Sequence, residues 1–132
     1  MKIVLTGYRT MVYELESHNE LENFISRNRI ALIAFASRDS KLWRYLENLL
    51  RRFEQRAGYL ISFAMIDIEK AKSYLPSEQA EVARKSCLIR LYFDGECIFE
   101  QEGVFGNLET DFQALRHGVK DVLKRRSVKT LF

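Results

Sequence analysis

The side chains in this 132-residue chain that could attack, ligate or exchange electrons are few: Cys87, Cys97, His18 and His117. The two cysteines stand ten positions apart among apolar neighbours, so they make neither a CxxC dithiol nor a zinc knuckle. Each histidine is alone on its own amphipathic segment, and no metal or cofactor set is expected. What remains is single-thiol chemistry, a mixed disulfide or a sulfenic acid, which needs an accessible thiolate. Cys87 opens the apolar run "CLIRLYF" and Cys97 lies beside Ile98 in the next; each reads first as a small packing residue.

The other place where chemistry could sit is a strand-to-helix turn, "AFASRDSKLWRYLENLL", residues 34–50. It holds Arg38, Asp39, Ser40 and Lys41. A serine hydroxyl has a far higher pKa than a thiol, and no histidine stands nearby in sequence to take its proton, so Ser40 is a poor nucleophile. Its ordinary use is to cap the following helix by accepting an orphan N–H. Arg38, Asp39 and Lys41 form a mixed-charge rim suited to a solvated loop or to interface specificity.

The elements that must position these groups are legible as periodicities. "KIVL" and "TMVYEL" read as two short strands, and Ser17 with Glu20 as a capping box for a helix over 18–28 carrying Leu21, Phe24 and Ile25 inward. "RIALIAFAS" is a continuous apolar run of strand length, the pattern of a central strand covered on both faces. Leu42, Leu46, Leu49, Leu50 and Phe53 then recur at helical spacing until Gly58. "YLISFAMIDI" is a second buried strand, and a shorter helix begins near Pro76. "CLIRLYF" and "CIFEQEG" flank Asp94-Gly95, a strong hairpin signal. A final helix over 108–125 turns Leu108, Phe112, Leu115, Val119, Val122 and Leu123 inward.

The length fits one domain over 1–132, with residues 1–10 as an extra strand at the sheet edge and 126–132 as a basic, frayed tail. A hydrophobic fraction of 47% and a charged fraction of 30% are those of an ordinary globular chain. The apolar runs are too short for a membrane helix, and "MKIVLTGYRT" is too polar for a secretory leader, so a cytoplasmic location is expected. The net charge of +3 identifies no partner. Five basic residues between Lys120 and Lys129 could touch phosphates, but clustered aromatics on an open sheet face are lacking, which makes nucleic acid the weaker reading.

The order β, β, α, β, α, β, α, β, β, α, together with "IALIAFAS", "MIDIE" and "LYFDGECIFEQEG", resembles the thioredoxin family over about residues 12–124. The resemblance implies a three-layer α/β/α sandwich around a mixed sheet of four to five strands. With Phe35 as anchor, the family's redox segment falls on Asp39 to Trp43. Ser40 then stands at the nucleophilic cysteine and Trp43 at the resolving one; sliding the match by one residue would place Asp39 at the first cysteine and put Asn48 and Arg52 at apolar helix positions. The family's buried acid falls on Ala34 and its cis-proline on Cys87.

Dithiol exchange needs a thiolate and a second thiol to resolve the mixed disulfide, so the resemblance implies the fold without that activity. The expectation is a redox-inactive protein-interaction module, adaptor or chaperone-like. Its groove would be formed by Asp39, Ser40, Lys41, Leu42 and Trp43 facing Ser86, Cys87 and Leu88. Trp43 would either present a partner contact or cover the end of the core. A single-thiol protein using Cys87 and a nucleic-acid-associated protein are the alternatives. The partner is another protein, and the N-terminal edge strand offers a route to a homodimer.

Overall fold

The computed structural model describes residues 11–71 and 73–132. The strand expected over residues 1–10, and the dimer contact read into it, lie outside these. In chain order the elements are β1 (Val12–Leu15), α1 (His18–Arg27), β2 (Ile30–Ala36), α2 (Leu42–Ala57), β3 (Ser62–Asp67), α3 (Ile68–Ala71), α4 (Ser77–Lys85), β4 (Leu88–Phe93), β5 (Glu96–Glu102) and α5 (Leu108–Arg125). The five strands form one sheet in the order β1-β3-β2-β4-β5. β1 and β2 run parallel to β3, while β4 is antiparallel to β2 and β5 to β4. The mixed sheet and the helices on both its faces are those expected.

β2 explains why the sandwich has three layers. All seven of its residues are buried, and the pleat sends Ile30, Leu32, Ala34 and Ala36 toward α2 and α5, and Ala31, Ile33 and Phe35 toward α1, α3 and α4. A strand with two apolar faces must be covered twice. On the α2/α5 side Phe53 is the hub, meeting the rings of Phe63, Phe112 and Phe132 edge to face at 5.4, 6.1 and 5.2 Å between centroids.

Local rules end the elements. Ser17 Oγ accepts the Glu20 N–H at 3.1 Å, and Glu20 Oε1 reaches back to the Glu16 N–H at 2.8 Å, one residue before the cap. Asp94 and Gly95 both take positive φ, 49° and 86°, as a two-residue hairpin turn whose twist matches its strands requires. Gly118 lets α5 lie on the sheet, because a Cβ there would come within 2.5 Å of the Phe99 ring. Gly58 ends α2 at φ −63°, a helical value rather than a left-handed cap.

Two expectations are corrected. The run "YLISFAMIDI" is a strand only from Ser62 to Asp67. Before it, the Leu60 and Ile61 N–H groups fold back onto the Ala57 carbonyl at 3.0 and 2.9 Å. After it, Asp67 Oδ1 accepts the Glu69 N–H at 3.2 Å and starts the single turn of α3.

The C-terminal tail is packed, not frayed. Ser127 adopts φ 62°, the Ser127 N–H bonds Lys124 O at 3.0 Å and the Val128 N–H bonds Leu123 O at 2.9 Å. This double bond is a Schellman stop. It turns the chain back so that Leu131 N–H meets Tyr59 Oη and Phe132 is buried against Phe53.

Candidate functional site

α2 begins directly after the buried strand β2, so the turn between them is held at the carboxyl end of the sheet by elements that cannot shift. The Ser40 N–H closes the turn on Ser37 O at 3.0 Å, and Ser40 Oγ accepts the Leu42 N–H at 3.0 Å. Ser40 thus satisfies an orphan donor of α2, while Lys41 is already helical and offers no cap of its own. Among the described residues, α2 is also the one helix of more than a single turn with no acidic residue in its first turn. Arg38 crosses the turn, its guanidinium 5.0 Å from the Trp43 ring centre and its Nε 3.0 Å from Glu14 of β1.

These residues border an open cleft of about 450 Å³ lined by Arg38, Ser40, Lys41, Trp43, Arg44 and Glu47. Lys41 is exposed and Ser40 half-buried in its lining, whereas Asp39, exposed, and Leu42, half-buried, belong to the same turn but do not line it. Trp43 is only 5% exposed and belongs to the core with Leu46, Leu50 and Phe53. Of its two readings, covering the end of the core is the one the packing supports. The spacing 43, 46, 50, 53 carried that signal, since it continues the inward stripe of α2.

The segment expected to face it, Ser86 to Leu88, delivers less than the resemblance implies. Ser86 is half-buried, but Cys87 and Leu88 are fully buried, on opposite faces of the sheet. Cys87 packs in the α2/α5 core, its carbonyl accepting the Gly103 N–H at 2.9 Å. Burial pushes its thiol up to about 11, with hydrogen bonds from Ser86 and Gly103 only partly opposing. Cys97 is half-buried on β5, donates its S–H to Phe99 O at 3.5 Å, and is likewise raised by burial. Neither thiol lies on the cleft. Ala34, where the resemblance put the family's buried acid, is buried in the α2/α5 core.

A polar brace that sequence reading missed ties α5 to α2. Asp111, in the first turn of α5, is the one fully buried charged side chain among the described residues. Its carboxylate accepts the Phe105 N–H at 2.8 Å, the Gly106 N–H at 2.9 Å and the Tyr45 hydroxyl of α2. A buried carboxylate persists only when so paired. Burial, and then Asp111, hold the Tyr45 phenol well above the usual tyrosine range. The brace fixes the loop before α5, leaving Phe105 79% exposed. Glycines at 103 and 106, with φ 78° and 96°, were its trace in the sequence.

Among the described residues, no group of three or more His, Cys, Asp and Glu side chains could hold a metal ion, and no helix is long and apolar enough to cross a membrane. No protein-family model and no curated protein matches the chain. Solved structures do. A mutant thioredoxin from Halobacterium salinarum superposes with a TM-score of 0.61 at 17% identity, over 83% of this chain and 91% of that one. The oxidised mitochondrial thioredoxin 3 of Saccharomyces cerevisiae gives 0.61 at 22% identity, over 83% and 94%. The oxidised thioredoxin of Plasmodium falciparum gives 0.61 at 13% identity, over 88% and 98%. The sheet order, the two-sided burial of β2 and these superpositions lead to one conclusion: the chain has the thioredoxin fold.

Proposed function

We propose that this chain is a redox-inactive, thioredoxin-like protein-interaction module that uses the cleft at the start of α2. The observation that carries the reading is the chemistry of that cleft: a capping hydroxyl at Ser40, a buried indole at Trp43, and no sulfur on its surface. Thiol exchange requires a thiolate that a disulfide can reach. Ser40 cannot supply one, and Cys87 is sealed from solvent with its thiol held protonated. What the cleft retains is an open, charged surface, which suits recognition.

The test is insulin reduction with dithiothreitol or a reductase as electron source. No turnover above the uncatalysed rate is expected, and thioredoxin-level turnover refutes the reading. The single-thiol alternative has its own check. Cys87 should resist mild peroxide and thiol probes in the folded protein and react once it is unfolded; fast labelling of folded Cys87 would restore that alternative.

A further inference from the structure

The charges of the two helical layers differ. α2, α5 and the following residues to 132 carry ten Lys and Arg side chains against five carboxylates, one of which is the buried Asp111. α1, α3 and α4 carry four against five. Four of the ten cations in the first layer are ion-paired: Arg51 with Glu47 at 3.1 Å, Arg125 with Asp121 at 2.7 Å, Arg126 with Glu96 at 3.3 Å and Arg52 with Glu109. Lys41 and Arg44, both exposed and both on the cleft, have no carboxylate within 4.0 Å among the described residues. The one carboxylate lining the cleft, Glu47, is turned to Arg51. The lining therefore holds two cations without an ion pair and a third, Arg38, paired with Glu14 and fixed over Trp43, while the exposed Asp39 of the same turn lies outside the lining.

We propose that the partner of this cleft is an acidic, extended protein segment, held by Lys41 and Arg44 and steered by the positive α2/α5 layer. This rests on the interaction-module reading above and names the chemistry of its partner. Complementary charge sets encounter rate and register more than total affinity, so binding is weak to moderate and salt-sensitive. The occupant is a protein segment rather than a nucleic acid for two reasons. A single strand needs an exposed aromatic platform for its bases, and Trp43 is 5% exposed with Arg38 over its ring. Glu47, Glu109 and Asp121 are interspersed on this layer and repel an unbroken phosphate chain, whereas a protein segment can place its acidic residues between them.

A labelled poly-glutamate peptide, titrated into the folded protein by fluorescence anisotropy, tests this. Binding is expected at low salt and should fade at high salt. Lys41→Glu with Arg44→Glu should weaken it about tenfold or more. Arg27→Glu with Lys85→Glu, the same charge change on the opposite layer, should alter it less than about twofold. Lys41→Gln with Arg44→Gln should lie between, and circular dichroism checks that each variant is folded. Three results overturn the proposal: no peptide binding, equal losses in the two glutamate pairs, or tighter binding of a single-stranded oligonucleotide of matched charge. A folded protein that ignores the peptide overturns the acidic partner alone, whereas insulin-reducing turnover overturns the interaction-module reading.

Discussion

Asp111 gives the sharpest test of how α5 and the loop before it are tied to α2. Replacing it with alanine removes one acceptor group from three donors: the Phe105 and Gly106 N–H groups and the Tyr45 hydroxyl. A buried donor left unpaired costs about 1–3 kcal/mol, and water entering beside the exposed Phe105 recovers part of that. The net loss for Asp111→Ala is about 3–4 kcal/mol, a large share of the roughly 5–15 kcal/mol that holds such a domain folded. For a chain of this size it lowers Tm by about 10 °C. Asp111→Asn keeps one acceptor but turns an amide N–H toward a donor, and should cost about 2 kcal/mol. Tyr45→Phe should cost about 1–2 kcal/mol, and the double mutant should show a coupling of about 1 kcal/mol or more. Urea unfolding with linear extrapolation measures each. Asp111→Ala within about 0.5 kcal/mol of the parent, or strict additivity with Tyr45→Phe, would refute the brace.

Trp43→Ala should cost about 3–5 kcal/mol by emptying a core position, so its loss of any binding reports on folding. Native Trp43 emission should accordingly be blue-shifted and weakly quenched by iodide. Ser127→Gly should raise stability by about 0.5–1 kcal/mol in the same urea assay, because it removes a side chain from a left-handed residue. Phe132→Ala should lower stability by about 2 kcal/mol, where a frayed tail would leave it unchanged. Cys87 predicts an alkaline loss of stability. Its neutral thiol is favoured in the folded state, whose pKa is pushed up to about 11, whereas the unfolded thiol ionises near the ordinary range. The stabilisation is complete below the unfolded value and is lost as pH rises from there through about 11. Cys87→Ala should flatten that slope in pH-dependent unfolding.

The fold was largely legible because its signals are local. The run "IALIAFA" could only be a strand covered twice, Ser17 with Glu20 could only open a helix, and Asp94-Gly95 needed no tertiary context to make a hairpin turn. The strand "YLISFAMIDI" was read too long because hydropathy does not register a carboxylate starting a new turn, as Asp67 does for α3. The tail was read as frayed because serine is an uncommon residue at the left-handed position of a helix stop. The register of Ser40 and Trp43 followed from the apolar stripe of α2, and so did the burial of Trp43, had the stripe been carried back one turn.

By itself the sequence determined which elements form, which faces they bury and that no dithiol can stand at the start of α2, since each depends on residue type and near-neighbour spacing. Tertiary structure alone decided which groups of the groove face water. Cys87 and Leu88 are adjacent in the chain, yet the pleat seals one in each core. Asp111 and Tyr45 are 66 positions apart, and no local pattern could reveal their bond. Lys41 and Arg44 stand out only once Glu47, the carboxylate lining their cleft, is seen to be turned to Arg51, because ion pairing depends on distance through space and not along the chain.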